Sequence, residues 1–173
     1  MKIIDVKEFD NIVDSFWDEM QYEFFKVEVL QYYGESNGPS LKDWLQGNHE
    51  KSLEIMRKNA KPWQEGKEGV KKIRIHVVKY PLSEYIQWEI EHYKNINIPL
   101  VGEEIYLIDW RKIGDLKLPK GDTMIFDRKK VVSNIYNENG MVIKAEVYDI
   151  ENEVKSFLEL RDRLLKLPLE KVR

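Results

Sequence analysis

The sequence predicts an α+β fold: a single, mostly antiparallel sheet of about five or six strands with helices packed on one face. Three observations carry that expectation. Short segments rich in aromatic and β-branched residues alternate between two faces, and helix-period segments lie between them. The last third holds three closely spaced strands, a meander, followed by a helix. With 173 residues the chain can bury one real core and is short for two, so residues 1–173 are read as a single α+β domain.

Asp5 and Glu8 have the spacing of a capping box, and Phe9, Ile12, Val13, Phe16 and Met20 follow at helical intervals. This predicts a helix over about Lys7–Met20. Phe24–Tyr33 reads as a strand with Phe25, Val27 and Val29 turned inward and Lys26 and Glu28 outward. After the turn residues Gly34–Pro39, Ser40 is expected to cap a short helix that Gly47 stops. A second helix follows around His49–Ala60, then a polar loop over Trp63–Gly69.

Lys71–Lys79 is the next expected strand, with Ile73, Ile75 and Val77 on one face and Arg74, His76 and Val78 on the other. Pro81 suits a first helical turn, where its missing N–H costs nothing. The helix then runs over Leu82–Tyr93 and turns through Pro99 and Gly102 into a strand over Glu104–Trp110. Asp122–Asp127, Val131–Asn137 and Met141–Asp149 form the meander. Asn139-Gly140 predicts a type I′ turn, because both residues accept positive φ. A closing helix over Glu151–Leu167 ends before Pro168.

Composition removes several classes of function. A net charge of -3 provides no basic face for nucleic acid. No cysteine means no disulfide, no thiolate nucleophile and no thiolate metal site. No apolar run approaches the roughly 18 residues that cross a bilayer. Met1–Asp10 carries acids where a secretory signal would be apolar, so a cytoplasmic protein with no membrane partner is expected. Phosphate-loop, dinucleotide-fingerprint and nucleophile-elbow motifs are missing. His49, His76 and His92 show no metal-ligand spacing, so neither metal nor cofactor is expected.

The most informative residue is Glu89. At about 100° per residue it falls inside the apolar stripe of Leu82, Tyr85, Ile86, Ile90 and Tyr93. A carboxylate aimed at a core must be paired, hydrogen-bonded or protonated. Among Tyr85, Trp88 and Tyr93 it could act as a general acid or base, or bind a cationic or hydroxylated ligand. The plainer reading is a structural acid bonded to a tyrosine hydroxyl or to Arg74. Glu103 and Asp127, acids at strand ends, are further candidates, although Asp127 before Arg128-Lys129-Lys130 reads most simply as a turn residue.

The succession Val77-Val78, Pro81-Leu82-Ser83, Tyr85, Glu89, Tyr93, Asn97, Gly102-Glu103-Glu104-Ile105 and Ile125-Phe126-Asp127 resembles a bacterial or archaeal domain-of-unknown-function family. That family is abundant in actinomycetes and reads roughly RVVxxPLSDYxxxE, NxxAGExI and WLFD. The resemblance runs from about Phe16 to Leu165, and Met124 stands where the family pattern has tryptophan. It implies a site among Ser83, Tyr85, Glu89, Asn97, Glu103 and Asp127. Because members resemble proteins encoded beside helix-turn-helix regulators, it also implies a regulatory partner.

Together these readings favour a non-catalytic regulatory or ligand-binding module centred on the helix at 82–93. Its candidate binding residues are Ser83, Tyr85, Trp88, Glu89, Tyr93, Asn97, Glu103 and Asp127, for a small molecule or a protein partner. The alternative is a hydrolase using Glu89 with Asp127 or Glu103 as paired acids. The apolar closing helix leaves a homodimer open.

Overall fold

A computed structural model describes residues 1–34, 38–60 and 67–173. The first part of the expected polar loop, Trp63–Gly66, lies outside the described residues. Strand β1 (Lys2–Asp5) leads directly into helix α1 (Val6–Glu19), whose N-cap Asp5 accepts from the amides of Lys7 and Glu8. The predicted cap is therefore the real one. Strand β2 spans Glu23–Glu28, shorter than expected, and helices α2 (Pro39–Leu45) and α3 (His49–Asn59) follow. Ser40 is not the cap of α2: Gly38 holds that place, Pro39 opens the helix, and Ser40 is buried. Gly47, in the left-handed region at φ 82, follows α2 as expected.

Strand β3 (Lys71–Val78) precedes helix α4 (Glu84–His92), which Ser83 caps by accepting from the amide of Ile86. Pro81 thus lies before the helix and not in its first turn. Beyond His92 the chain widens into a π-helical segment, Tyr93–Val101, which Gly102 closes at φ 73. Pro99 within that segment has no N–H to give an α-helical ladder. Strand β4 (Glu103–Asp109), β5 (Thr123–Phe126), β6 (Lys130–Tyr136) and β7 (Val142–Tyr148) come next, then helix α5 (Glu151–Leu164) and the short β8 (Glu170–Lys171).

The α+β class and the single sheet hold, but the sheet is larger and more mixed than the sequence suggested. Among the described residues it has eight strands in the order β1-β7-β6-β5-β2-β3-β4-β8. β2, β3 and β4 pair in parallel, and the other neighbours are antiparallel. The parallel centre follows from the connections: helices, not hairpins, join β2 to β3 and β3 to β4. β1 and β8 escaped notice because they are too short to show a period.

Helices also cover both faces, not one. On the first, Phe25, Val27, Ile73, Ile75, Val77, Ile108, Ile125 and Val131 pack against Val154, Phe157 and Leu164 of α5. Arg161 of α5 locks that contact by donating to both carboxylate oxygens of Glu23, at 2.8 and 2.5 Å. On the second, α1 lies over Phe24, Phe126 and Val132 at one end. There α4 lies over Val78, Ile105 and Leu107 at the other end. Lys26 and Glu28 point to this second face, beneath the gap between the two helices, so they are not solvent-facing residues.

The meander departs from expectation at its turns. At Asn139-Gly140 only Gly140 is left-handed, at φ 72, and Asn137 builds the loop by accepting from the amides of Asn139 and Met141. The consecutive left-handed pair is instead Asp127 (φ 49) and Arg128 (φ 58), between β5 and β6. That turn aims the Asp127 carboxylate at the backbone amides of Gln21, Tyr22 and Glu23, which donate to it at 2.8, 2.7 and 3.0 Å. Burial works against ionisation here, but the three amides outweigh it and hold the Asp127 carboxyl below the usual range.

Asp127→Ala should therefore cost about 2 kcal/mol in chemical denaturation, because charge-assisted bonds to backbone amides are lost. The folded-state depression means that Asp127 stabilises the protein fully above its unfolded value and loses that contribution as pH falls through the folded one. The gap between wild type and variant should close in acid, and an unchanged gap down to the acid transition would refute the assignment.

Candidate functional site

The second face of the sheet carries charge at its centre because β2 and β3 each send two successive polar side chains there and β4 adds one at its start. Lys26 and Glu28 come from β2, Arg74 and His76 from β3, and Glu103 from β4, with Asp122 just before β5. Arg74 ties the strands together. Its Nη1 donates to Glu28 Oε1 at 2.5 Å, while Nε and Nη2 donate to Glu103 Oε2 and Oε1 at 2.6 and 3.0 Å. Lys26 Nζ lies 2.6 Å from Glu28 Oε1 and 3.7 Å from Asp122 Oδ2.

Tyr93 donates its O–H to Glu28 Oε2. His76, wholly buried, donates from Nε2 to the carbonyl of Leu30 at 2.8 Å, since a carbonyl can only accept. Its Nδ1 therefore turns toward Tyr93 Oη at 3.0 Å, Glu89 Oε2 at 3.3 Å and Glu28 Oε2 at 3.7 Å. Asp122 accepts from the Tyr33 hydroxyl at 2.7 Å and the Val29 amide at 3.2 Å.

Above this floor, between α1 and α4, opens a cleft of about 590 Å³. Asp10 and Asp14 of α1 stand on one side, and Tyr85, Trp88, Glu89 and His92 of α4 on the other. Tyr33, Tyr136, Met124 and Asn134 complete the lining near Asp122. Among the described residues, two buried side-chain oxygens lack a hydrogen bond, Glu89 Oε2 and Asn134 Oδ1. Both belong to cleft-lining residues.

The acids of the network are held in opposite states. Burial opposes ionisation of Glu28, but Arg74 and Lys26 overcome it and drive its carboxyl far below the usual range. Burial pushes Glu89 well above that range, and the negative charge of Glu28 adds to the effect. Burial likewise raises Asp122 against the pull of Lys26. Burial also lowers His92 to about 4, which leaves it neutral near pH 7. The cleft thus joins a fixed anion to a neighbouring acid that keeps its proton.

The sequence-derived candidates divide clearly. Tyr85, Trp88, Glu89, Tyr93 and Asn97 all line the cleft. Glu103 lies behind it, spent on Arg74, with the Asn97 amide 3.5 Å away. Ser83 caps α4, and Asp127 serves backbone amides, so neither lines the cleft. The pairing of Glu89 with Asp127 does not form, and the carboxylate that shares the His76 ring with Glu89 is Glu28. Arg74 is not the partner of Glu89 either. Trp88, off the main stripe of its helix, is buried because α2 packs there and Ser40 Oγ accepts from its Nε1 at 3.1 Å.

Sequence reasoning missed Lys26, Glu28, His76 and Asp122 as site residues. One signal was available: Lys26, Glu28, Arg74 and His76 recur with period two on strands whose other faces carry Phe25, Val27, Ile73, Ile75 and Val77.

Fold and cleft define the class: an α+β domain on a mixed sheet, with a charged network buried under a helix-flanked opening. The chain belongs to the family described as a domain of unknown function, DUF6879, which matches residues 11–170. No curated protein matches the sequence. Among solved structures, the fold is similar to that of Nuc, a phospholipase D family member from Salmonella typhimurium. That match has 13% identity and a TM-score of 0.51, and covers 98% of this chain and 96% of that one. NucT from Helicobacter pylori matches at 9% identity and a TM-score of 0.48, covering 96% of each chain. TrmBL2, an archaeal chromatin protein, matches 99% of this chain at 14% identity and a TM-score of 0.44. The chain spans about half of that protein's length, 55%.

Glu28 and Glu89 should respond differently to loss of charge. Glu28→Gln strands Arg74 and Lys26 beside a neutral amide and should cost about 3–5 kcal/mol. Glu89→Gln replaces a proton-bearing acid by a neutral amide of the same shape and should change stability by less than about 1 kcal/mol. Equilibrium denaturation of the two variants side by side checks this, and equal losses would make Glu89 an ionic support.

Proposed function

We propose that this domain is a non-catalytic binding module whose cleft between α1 and α4 takes a small ligand rich in hydrogen-bond donors. One observation carries the reading: the buried oxygens Glu89 Oε2 and Asn134 Oδ1 lack hydrogen bonds and belong to the lining of a single cleft. A buried acceptor left without a donor costs free energy that a bound N–H or O–H recovers. Tyr33, Tyr85, Trp88 and Tyr136 supply aromatic surface for the ligand's body, and aromatic faces favour positive charge. Asp10 and Asp14 give the rim the same preference. The ligand class is therefore an amine or a polyhydroxylated molecule, and residues 1–173 act as one cytoplasmic regulatory unit.

Hydrolysis is the second reading, and the fold shared with a phospholipase D family member is what favours it. A phosphodiester would meet a cleft whose cations are already committed, Lys26 to Glu28 and Arg74 to Glu28 and Glu103. It would also meet the carboxylates of Asp10, Asp14 and Glu28. Charge complementarity therefore favours the binding reading.

A thermal-shift panel of primary amines, polyols and phosphodiesters separates the two. Amines or polyols should raise the melting temperature of wild type and lose most of that effect in Glu89→Gln. Stabilisation by phosphodiesters with turnover of a chromogenic phosphodiester would replace the binding reading with the hydrolytic one.

A further inference from the structure

The cleft floor and the His76 ring buried behind it bring together a group of donors that no spacing in the sequence announces. Glu28 of β2, His76 of β3 and Glu89 of α4 each place one ligand-type atom within 4.8 Å of the other two. His76 Nδ1 stands 3.3 Å from Glu89 Oε2 and 3.7 Å from Glu28 Oε2. Donors about 2.0–2.2 Å from a divalent ion lie about 3.0–3.6 Å from each other, so these separations fit a site slightly open around such an ion.

We propose that Glu28, His76 and Glu89 form a site for a divalent first-row transition metal, with one nitrogen and two carboxylate oxygens as its protein ligands. The inference deepens the binding reading and rests on it, because it names what Glu89 takes first.

Three features beyond the cluster support it. The first is the outer support of each ligand. His76 donates Nε2–H to the Leu30 carbonyl, which fixes the tautomer that leaves the Nδ1 lone pair on the side of the carboxylates. Lys26 and Arg74 hold Glu28 by Oε1, and the Tyr93 hydroxyl donates to its Oε2, the oxygen 3.7 Å from His76 Nδ1, so the ligating oxygen is itself positioned by a hydrogen bond. Metal-binding histidines and carboxylates are held in this way by their neighbours.

The second is the buried oxygen itself. Glu89 is only 9% exposed, and its Oε2 faces the cluster without a hydrogen bond. The third is charge. Glu28, Glu89, Glu103 and Asp122 supply four carboxyl groups, against two fixed cations, Lys26 and Arg74. An ion that displaces the Glu89 proton leaves four carboxylates against those two cations, and its two positive charges close the difference. The mixed nitrogen and oxygen donors suit zinc, manganese or iron better than magnesium or calcium, which prefer oxygen alone. Glu28, Glu89 and Tyr93 line the cleft, so the ion's remaining positions would face a ligand or water entering from it.

The test uses the full chain freed of metal with chelator and titrated calorimetrically with Zn²⁺. Wild type should take up about one equivalent, and Glu89→Gln should bind at least roughly tenfold more weakly. A second measurement needs no variant: Mn²⁺ added to the ¹⁵N-labelled protein should broaden amide signals around Glu28, His76 and Glu89. Equal zinc affinity in wild type and Glu89→Gln, or broadening centred on His49, overturns the inference. No zinc uptake while amines or polyols still stabilise the wild type overturns the metal site and leaves the binding reading standing. Failure of both removes both.

Discussion

The arrangement of this molecule depends on one buried interaction, the double engagement of Arg74 by Glu28 and Glu103. Arg74 sits on the central parallel strand β3 and reaches the strand on either side, so three strands share one charge network on the same face. Ions removed from water persist only when their remaining valences are satisfied, and the planar guanidinium does this with donors directed at both carboxylates. Lys26 and the Tyr93 hydroxyl complete the shell of Glu28. No apolar helix could lie flat on such a patch. Helices α1 and α4 accordingly cover the two ends of the face, and the space left between them is the cleft.

The two faces of the sheet divide the labour of the fold. The face under α5 is continuous aliphatic and aromatic packing, anchored at Arg161 and Glu23, and it carries the cooperative core. The opposite face gives up apolar area at its centre, where buried charge is a weak source of stability. A sheet that needed this region only for folding would gain by filling it with leucine and valine. The polar centre instead rests on the closure of its ion pairs and hydrogen bonds, with Glu89 and His76 buried beside Glu28.

Much of the fold was legible in the sequence, and the failures have specific physical origins. The cap at Asp5, the stripe of α4 with Glu89 inside it, and the alternation of β3 all follow from local periodicity, and local periodicity held. The parallel pairing of β2, β3 and β4 was not legible, because alternation along a strand says nothing about the direction of its neighbour. Alternation alone turns Lys26 and Glu28 away from the apolar face, which in a sheet covered on one side would mean solvent; a second helical layer on this sheet buries that face instead. His76 carried no metal-like spacing because its companions come from other elements, 48 and 13 residues away along the chain. Asp127 was correctly readable as a turn residue, but its service to the amides of Gln21, Tyr22 and Glu23 depends on tertiary contact alone.

The separation of the two faces, together with the lack of any cysteine, also makes the molecule unusually easy to instrument. Ser156 is exposed on α5, on the side of the sheet away from the cleft. A thiol introduced by Ser156→Cys would be the only one in the chain. A dye or a surface tether placed there would leave α1, α4 and the opening between them unobstructed, so immobilised protein could be exposed to candidate ligands without the attachment competing for the site.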